Sequence, residues 1–332
     1  MIAFNLLIPI PLNLFSSSYA KFNDFIAVNR FGISIKIDKG SAMKVSLKTV
    51  LTLTTLFFIS ACGADNSADS MWRKLSLDNT VLLTLPHGKV VIELAPQFSP
   101  KNAGQFSNLT QQGFYNGTKF YRVIDGFVAQ AGPKDGSKKD KSVPLLAMES
   151  EWHTDKTWRF TPVQQQDLFA EKTGFKDGFA LAYQADENAN SGKAWLTHCP
   201  GTIAMARNNE ADSASSHFYF VIGQAPRYLD RIMTIFGRVV YGMQHIQAIQ
   251  RTEVVEGDYA VDHRNFTEII SMQLMSDVTK DEQIHLEVEN TESTAFAERI
   301  VKRRKRNNAF FYKKPPPVLD VCQIPIRSRL VK

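Results

Sequence analysis

The chain has 332 residues, of which 44 % are apolar and 22 % are charged, and its formal net charge is +6. This composition is ordinary for a soluble globular protein and allows a substantial core in one or two domains. Much of the positive charge lies in one C-terminal run, so the charge balance gives no strong argument for a nucleic-acid partner.

The N-terminal part contains a segment typical of a signal peptide. In Met43–Cys62, two lysines precede the apolar run Val50–Ile59, which is too short to span a bilayer. The segment ends in Ile59-Ser60-Ala61-Cys62, which resembles the bacterial lipobox, in which the cysteine is lipidated and becomes the first mature residue. We therefore expect a lipoprotein signal peptide over residues 43–61, with a plain secretory signal or a buried strand as the alternative.

A basic region normally begins a signal peptide, yet 42 residues precede this one. We expect translation to start at Met43, so that residues 1–42 are an upstream extension that is not translated; a real, unstructured extension is the alternative. Residues 62–77 are expected to tether the lipidated Cys62 to the domain. Gly63 after the cysteine favours sorting to the outer membrane.

The first elements of the domain follow local patterns. Val81–Leu85 and Val90–Leu94 flank a Pro-His-Gly-Lys turn and predict a β-hairpin. Ser99-Pro100 predicts the start of a helix, which ends before Gly113. Asn116-Gly117 then predicts a turn into a strand.

Two later stretches carry the chemistry: FYRVIDGFVAQAG at 120–132 and GTIAMARNNEADSASSHFYFVIG at 201–223. They resemble the cyclophilin family of peptidyl-prolyl cis/trans isomerases, whose motifs share the Phe, Arg, Gly-Phe and Gln of the first stretch at the same spacing. Tyr228-Leu229-Asp230 and Phe236–Val239 continue the resemblance, which runs from about residue 79 to about residue 274.

The resemblance implies a mainly β fold, namely a closed antiparallel eight-stranded barrel capped by two helices. We expect the barrel domain to span residues 78–275, with an insertion at about 154–195 and a C-terminal extension at 276–332. The insertion is expected to be a surface excursion with some structure around Phe179–Tyr183.

The resemblance also implies an isomerase that needs no nucleophile, metal or cofactor. Rotation about an X-Pro bond is slow because amide resonance must be broken, and a hydrogen-bond donor to the twisted amide lowers that barrier. Arg122 is the expected donor and Gln130 is expected to orient it. The substrate pocket is expected to comprise Phe127, Val128, Ala206, Arg207, His217, Tyr219, Tyr228, Leu229 and Met233.

Several positions depart from the family motifs. Tyr121 replaces a histidine, Val128 a methionine, Tyr219 a phenylalanine and Met233 a histidine of the best-studied members. Two alternatives to an active isomerase therefore stay open: a module that binds proline-containing segments without useful turnover, and a structural lipoprotein. The seven histidines show no metal-ligand spacing.

The expected partners are proline-containing polypeptides, and the membrane through the lipid on Cys62. We expect a monomer that assists folding of exported proteins in the periplasm of a bacterial envelope and does not bind nucleic acid. The basic run Lys302–Arg306 could contact anionic lipid or nucleic acid, but a solvated helix face is favoured.

Two cysteines remain once Cys62 is lipidated. Exported thiols in an oxidising compartment tend to pair, so we expect a disulfide between Cys199 and Cys322, with two free thiols as the alternative. The bond requires the two Cα atoms to lie roughly 4.4 to 6.8 Å apart.

Overall fold

The computed structural model describes residues 70–331, except 135, 188–190, 253, 256–257 and 260–265. The expected upstream extension, the signal peptide and the lipidation of Cys62 therefore lie outside the described residues. Within the described ranges, no helix is long and apolar enough to cross a membrane.

An antiparallel sheet of eight strands, numbered here in chain order, forms the centre of the domain. From one edge to the other the strands are β16 (Ser271–Leu274), β2 (Thr80–Leu85), β3 (Gly88–Leu94), β13 (Ile235–Tyr241), β11 (Thr202–Met205), β12 (Phe218–Val221), β5 (Val128–Gly132) and β4 (Lys119–Val123). The predicted first hairpin is confirmed as β2 and β3, which pair from Thr80 with Glu93 to Leu85 with Gly88.

The prediction of a closed barrel is wrong, because this sheet is an open half-barrel. Its two edge strands, β4 and β16, are not joined to each other by a ladder. The edges approach through the segment before β16 instead. There, the amide of Phe120 donates to the carbonyl of Thr267 at 2.9 Å, and the amide of Ile269 donates to the carbonyl of Thr118 at 2.8 Å.

Four α-helices occur in the described ranges: α1 (Pro100–Gln111), α2 (Lys138–Lys141), α3 (Met243–Gln247) and α4 (Thr294–Lys305). The helix predicted after Ser99 is confirmed as α1, with proline at its first position and Gly113 at a positive φ of 63° just beyond its end. Its buried Phe106 contacts the rings of Tyr115, Phe218 and Phe236 in the core between α1 and the sheet.

The residues of the expected insertion form a second antiparallel sheet. Its strands, in spatial order, are β6 (Trp152–Asp155), β10 (Ser191–Leu196), β9 (Phe179–Ala185), β8 (Lys172–Lys176) and β7 (Thr161–Gln165). The structure expected around Phe179–Tyr183 is confirmed as part of β9. The insertion is not merely a surface excursion, because Phe179 and Leu181 are buried in one cluster with Val128 and Tyr219 of the first sheet.

The C-terminal part packs back onto the domain. Strands β17 (Leu286–Glu289) and β18 (Ser328–Leu330) form a three-stranded sheet with β1 (Trp72–Lys74), a segment that the sequence placed in the tether. A two-stranded ribbon, β14 (Val254–Val255) and β15 (Asp258–Tyr259), completes the described strands. Cys199 and Cys322 form a disulfide, and their Cα atoms are 4.8 Å apart, which meets the geometric test.

Candidate functional site

Four side chains lie in one row across four neighbouring strands. Arg122 on β4 pairs with Gln130 on β5, and Gln130 pairs on its other side with Tyr219 on β12. Tyr219 in turn pairs with Ala204 on β11. The residues that flank Gln130 and Tyr219 in the chain belong to the core beneath α1. Because side chains alternate along a strand, the row therefore lies on the opposite, outer face of the sheet.

Arg122 lies at one end of a line of hydrogen-bonded side chains. Its Nη1 donates to Oε1 of Gln130 at 3.1 Å, and Nε2 of Gln130 donates to the hydroxyl of Tyr121 at 2.6 Å. That hydroxyl lies 2.7 Å from Nδ1 of His217, whose Nε2 is 3.1 Å from a carboxylate oxygen of Asp140. The structure thus brings together Arg122, Gln130 and His217 of the expected site.

The expected apolar members of the pocket adjoin this row. Val128 and Tyr219 are almost fully buried, and the partly buried Phe127, Ala206 and Met233 pack against the same cluster. Tyr228 is 65 % exposed, and its ring lies nearly parallel to that of Phe127 with centroids 6.5 Å apart. These side chains form an apolar wall with one exposed aromatic rim.

Two expected members hold the loops around the wall. The amide of Ala206 already donates to the carbonyl of His217 at 2.9 Å. The guanidinium of Arg207 donates to the carbonyl of Ile232 at 3.0 Å and to carbonyls of its own loop. Leu229 is half-buried in the 3-10 turn that carries Tyr228.

No group of three or more His, Cys, Asp or Glu side chains in the described ranges could hold a metal ion. What the row offers is a guanidinium beside an apolar wall, an arrangement that can donate hydrogen bonds to a bound peptide.

A model of the family described as "Cyclophilin type peptidyl-prolyl cis-trans isomerase/CLD" matches residues 80–273, more than half of the chain. The chain belongs to the cyclophilin family. It is accordingly a cyclophilin-type peptidyl-prolyl cis/trans isomerase, and its relatives are named for the same activity.

Two bacterial relatives show the extent of the similarity. The Brucella suis protein named "Probable peptidyl-prolyl cis-trans isomerase" is 30 % identical over 179 residues, which cover 54 % of this chain and 75 % of that protein. Peptidyl-prolyl cis-trans isomerase A of Dickeya dadantii is 29 % identical over 178 residues, which cover 52 % of this chain and 72 % of that protein.

The fold also resembles a solved structure, that of cyclophilin AquaCyp293 from Hirschia baltica. The superposition has a TM-score of 0.62 at 22 % identity, and it covers 87 % of this chain and 98 % of that one. The shared fold therefore extends well beyond the residues that the family model matches.

Within this cyclophilin, the hydroxyl of Tyr219 belongs to a buried polar network. It lies 3.0 Å from Nε2 of His198, and Nδ1 of His198 lies 2.8 Å from Oδ1 of Asp230, whose other oxygen, Oδ2, accepts from Arg227. Burial raises the pKa of Tyr219, so the phenol stays protonated at neutral pH. These hydrogen bonds hold the Tyr219 ring in place, whereas the family resemblance predicted only that Tyr219 lines the substrate pocket.

Sequence reasoning missed three polar residues near the row: Tyr121, Asp140 and His198. The substitution of tyrosine for the family histidine was the available signal for Tyr121. His198 precedes the strand β11 and Asp140 lies in the short helix α2, and neither residue was singled out by the motifs that carry the resemblance.

Proposed function

We propose that Arg122 catalyses isomerisation by donating a hydrogen bond to the prolyl nitrogen as the X-Pro amide twists. The barrier to this rotation is about 18 to 20 kcal/mol because the planar amide is stabilised by resonance. A donor that bonds the nitrogen only in the twisted state lowers the barrier without tightening ground-state binding. The observation that carries this proposal is the 3.1 Å hydrogen bond from Arg122 to Gln130 on the outer face.

The surroundings of Arg122 support this role. Guanidinium groups remain charged at all relevant pH values and present several N–H donors in a fixed plane, so one donor can hold Gln130 while another contacts substrate. The partly buried Phe127 and Met233, which pack on the apolar cluster next to the row, would receive the proline ring and exclude water from the amide. The proposed substrates are therefore proline-containing polypeptides.

We further propose that the enzyme acts on exported proteins in a bacterial envelope, lipid-anchored at Cys62 and more favourably sorted to the outer membrane. The disulfide between Cys199 and Cys322 supports an oxidising compartment, because such bonds are rare in the cytosol. Mass spectrometry of the mature protein is expected to find diacylglycerol and an acyl chain on Cys62. An unmodified Cys62, or a mature chain that begins upstream of Met43, would refute the anchor.

The test of the mechanism is Arg122→Ala in a protease-free isomerisation assay on a proline tetrapeptide. Removing one transition-state donor is expected to lower kcat/KM about a hundredfold. Arg159→Ala is the matched control, since that exposed guanidinium donates to the carbonyls of Lys156 and Trp158 within its own turn. If a folded Arg122→Ala protein keeps activity within a few-fold of the parent, the assignment is wrong. Peptide binding without turnover in the parent would favour the binding module instead.

A further inference from the structure

A basic surface lies at the end of α4 and in the segment that follows it. Residues 301–314 contain no Asp or Glu, and their seven cations are Lys302, Arg303, Arg304, Lys305, Arg306, Lys313 and Lys314. The family match ends at residue 273, so isomerase activity does not account for this charge. We propose that residues 301–314, here called the basic surface, bind the headgroups of an anionic lipid membrane.

The hydrogen bonds of the basic surface go to neutral acceptors, and the two carboxylates beside it, Glu298 and Asp320, are fewer than its seven cations. Arg303 and Arg306 donate to the backbone carbonyls of Gln323 and Val318 at 3.0 and 3.1 Å. Lys314 donates to the side-chain oxygen of Asn307 at 3.1 Å. Since each of these acceptors is neutral, the positive potential persists and attracts anionic groups.

Exposed apolar side chains accompany these cations. Phe310 is 81 % exposed and Tyr312 is 97 % exposed, and the aliphatic Val301 and Val318 are 46 % and 56 % exposed. Aromatic rings partition favourably into the boundary between headgroups and acyl chains, and basic residues beside them add attraction to anionic lipid. Aliphatic side chains enter the same boundary but have no ring to stack on nucleic-acid bases, so the composition favours lipid.

The basic surface is fixed to the domain. Phe296 and Ile300 bury the other face of α4, and Ser293 caps its first turn by accepting from the amide of Phe296. The disulfide at Cys322 holds the segment that follows. The surface is therefore preorganised, and binding need not order it first.

The experiment is vesicle flotation of the full chain carrying Cys62→Ser, so that no acyl anchor contributes. The parent is expected to bind phosphatidylglycerol-rich vesicles more tightly than phosphatidylcholine vesicles. Replacing Lys302, Lys305 and Lys313 by glutamine should weaken binding to the anionic vesicles by about tenfold or more. The matched control replaces exposed Lys101, Lys156 and Lys280 by glutamine and should keep parental binding.

If both triple-lysine variants lost the same amount of binding to anionic vesicles, only the net charge would matter, and the assignment of binding to the basic surface would be refuted. Equal binding of the parent to neutral and anionic vesicles would also overturn it. Tighter binding to duplex DNA than to anionic vesicles at the same salt concentration would identify nucleic acid as the occupant and refute the lipid assignment.

A second inference, which rests on the proposed role of Arg122, concerns the line of hydrogen bonds behind it. Asp140 as a carboxylate can only accept, so Nε2 of His217 donates to it, and Nδ1 of the same ring bonds the Tyr121 hydroxyl. The Tyr121 oxygen is then an acceptor for Nε2 of Gln130. This direction leaves the Gln130 oxygen facing Arg122.

The line therefore selects one of the two amide orientations of Gln130. The flipped amide would present its NH₂ group to the Arg122 guanidinium, and two donors cannot bond each other. We infer that Tyr121, His217 and Asp140 are positioning residues, which act on catalysis only by holding Gln130, and through it Arg122. The amide of Gly136 also donates to the Asp140 carboxylate at 3.0 Å, which holds the far end of the line.

A double-mutant cycle tests this line. Tyr121→Phe is expected to lower kcat about fivefold, the worth of one ordinary hydrogen bond, with KM unchanged. In a Gln130→Ala background the same substitution should have no further effect, because its target is gone. Tyr241→Phe, at the last residue of β13, is the control, and its kcat should match that of the parent.

The outcomes separate this line from the proposed mechanism. If Tyr121→Phe lowered kcat by the same factor in the parent and in the Gln130→Ala background, Tyr121 would not act through Gln130. A drop in activity for Arg122→Ala together with parental activity for Tyr121→Phe would refute the line alone. Parental activity for Arg122→Ala would remove the proposed mechanism itself.

Discussion

Replacing both Cys199 and Cys322 by serine is expected to lower the free energy of unfolding by up to about 5 kcal/mol. The bond joins residues 123 positions apart in the chain. In the chain-entropy model, a crosslink removes about 2.1 + 1.5R ln n cal/mol/K from the unfolded chain. For a loop of this length the loss is about 16 cal/mol/K, which corresponds to about 5 kcal/mol at 25 °C.

This value is an upper estimate, because residual structure in the unfolded chain already limits the freedom that the crosslink removes. Leu319, Val321 and Ile324 are buried against Val163 and Phe175 of the second sheet and do not need the disulfide for that contact. Measured losses for native disulfides are commonly about 2 to 5 kcal/mol. We therefore expect the free energy of unfolding to fall by an amount in this range, mainly because the unfolded chain gains entropy when the crosslink is absent.

The assay is urea unfolding followed by far-UV circular dichroism, with Cys62→Ser in both proteins so that no third thiol exchanges. The double serine variant should unfold at a lower midpoint, and a larger m-value would report a more expanded unfolded chain. A loss below about 1 kcal/mol with equal m-values would refute the reasoning.

Three further outcomes are expected. His198→Leu should destabilise the protein by about 1 to 3 kcal/mol in thermal unfolding, because the buried Tyr219 hydroxyl loses its bond to the ring and Asp230 Oδ1 keeps its bond from the backbone amide of residue 198 but loses the one from the ring; parental stability would contradict the network. Cyclosporin should inhibit weakly, because Tyr228 stands where sensitive cyclophilins have tryptophan, and Tyr228→Trp should tighten inhibition; nanomolar inhibition of the parent would contradict this. Burial raises the pKa of Glu151, but hydrogen bonds from a lysine and an arginine outweigh it and hold that pKa below its usual value. Glu151→Gln should therefore have a lower free energy of unfolding than the parent at neutral pH, and this difference should disappear as the pH falls below about 4. A difference between the two proteins that persists at pH 2 would argue against it.

The sequence predicted that Arg122, Gln130 and Tyr219 belong to one site because the family resemblance assigns them to it, whereas the row that they form was read from the strand pairing. Alternation along a strand puts Arg122 and Gln130 on the same face as Tyr219 whenever their strands are neighbours, and the family resemblance supplied that neighbourhood. The hairpin of β2 and β3 and the start of α1 followed from turn residues and from the proline at the first helical position, which act within a few positions.

The sheet edges were not predictable in this way. Whether β4 and β16 close a barrel depends on the summed twist and stagger of eight strands, and no local pattern records that sum. Likewise, the second sheet buries Phe179 and Leu181 against Val128, and a short apolar strand has the same pattern whether or not another sheet covers it.

The sequence by itself determined the family, the assignment of Arg122 and Gln130 to the candidate site and the pairing expected of the two cysteines, because motif spacing and residue chemistry are enough for each. Only the tertiary structure placed Asp140 and His217 at the end of the line that starts at Arg122. Those residues are 77 positions apart, and their hydrogen bond forms only because α2 folds back beside β12. Contacts between irregular segments depend on where the whole chain places them, so no periodicity in the sequence announces them.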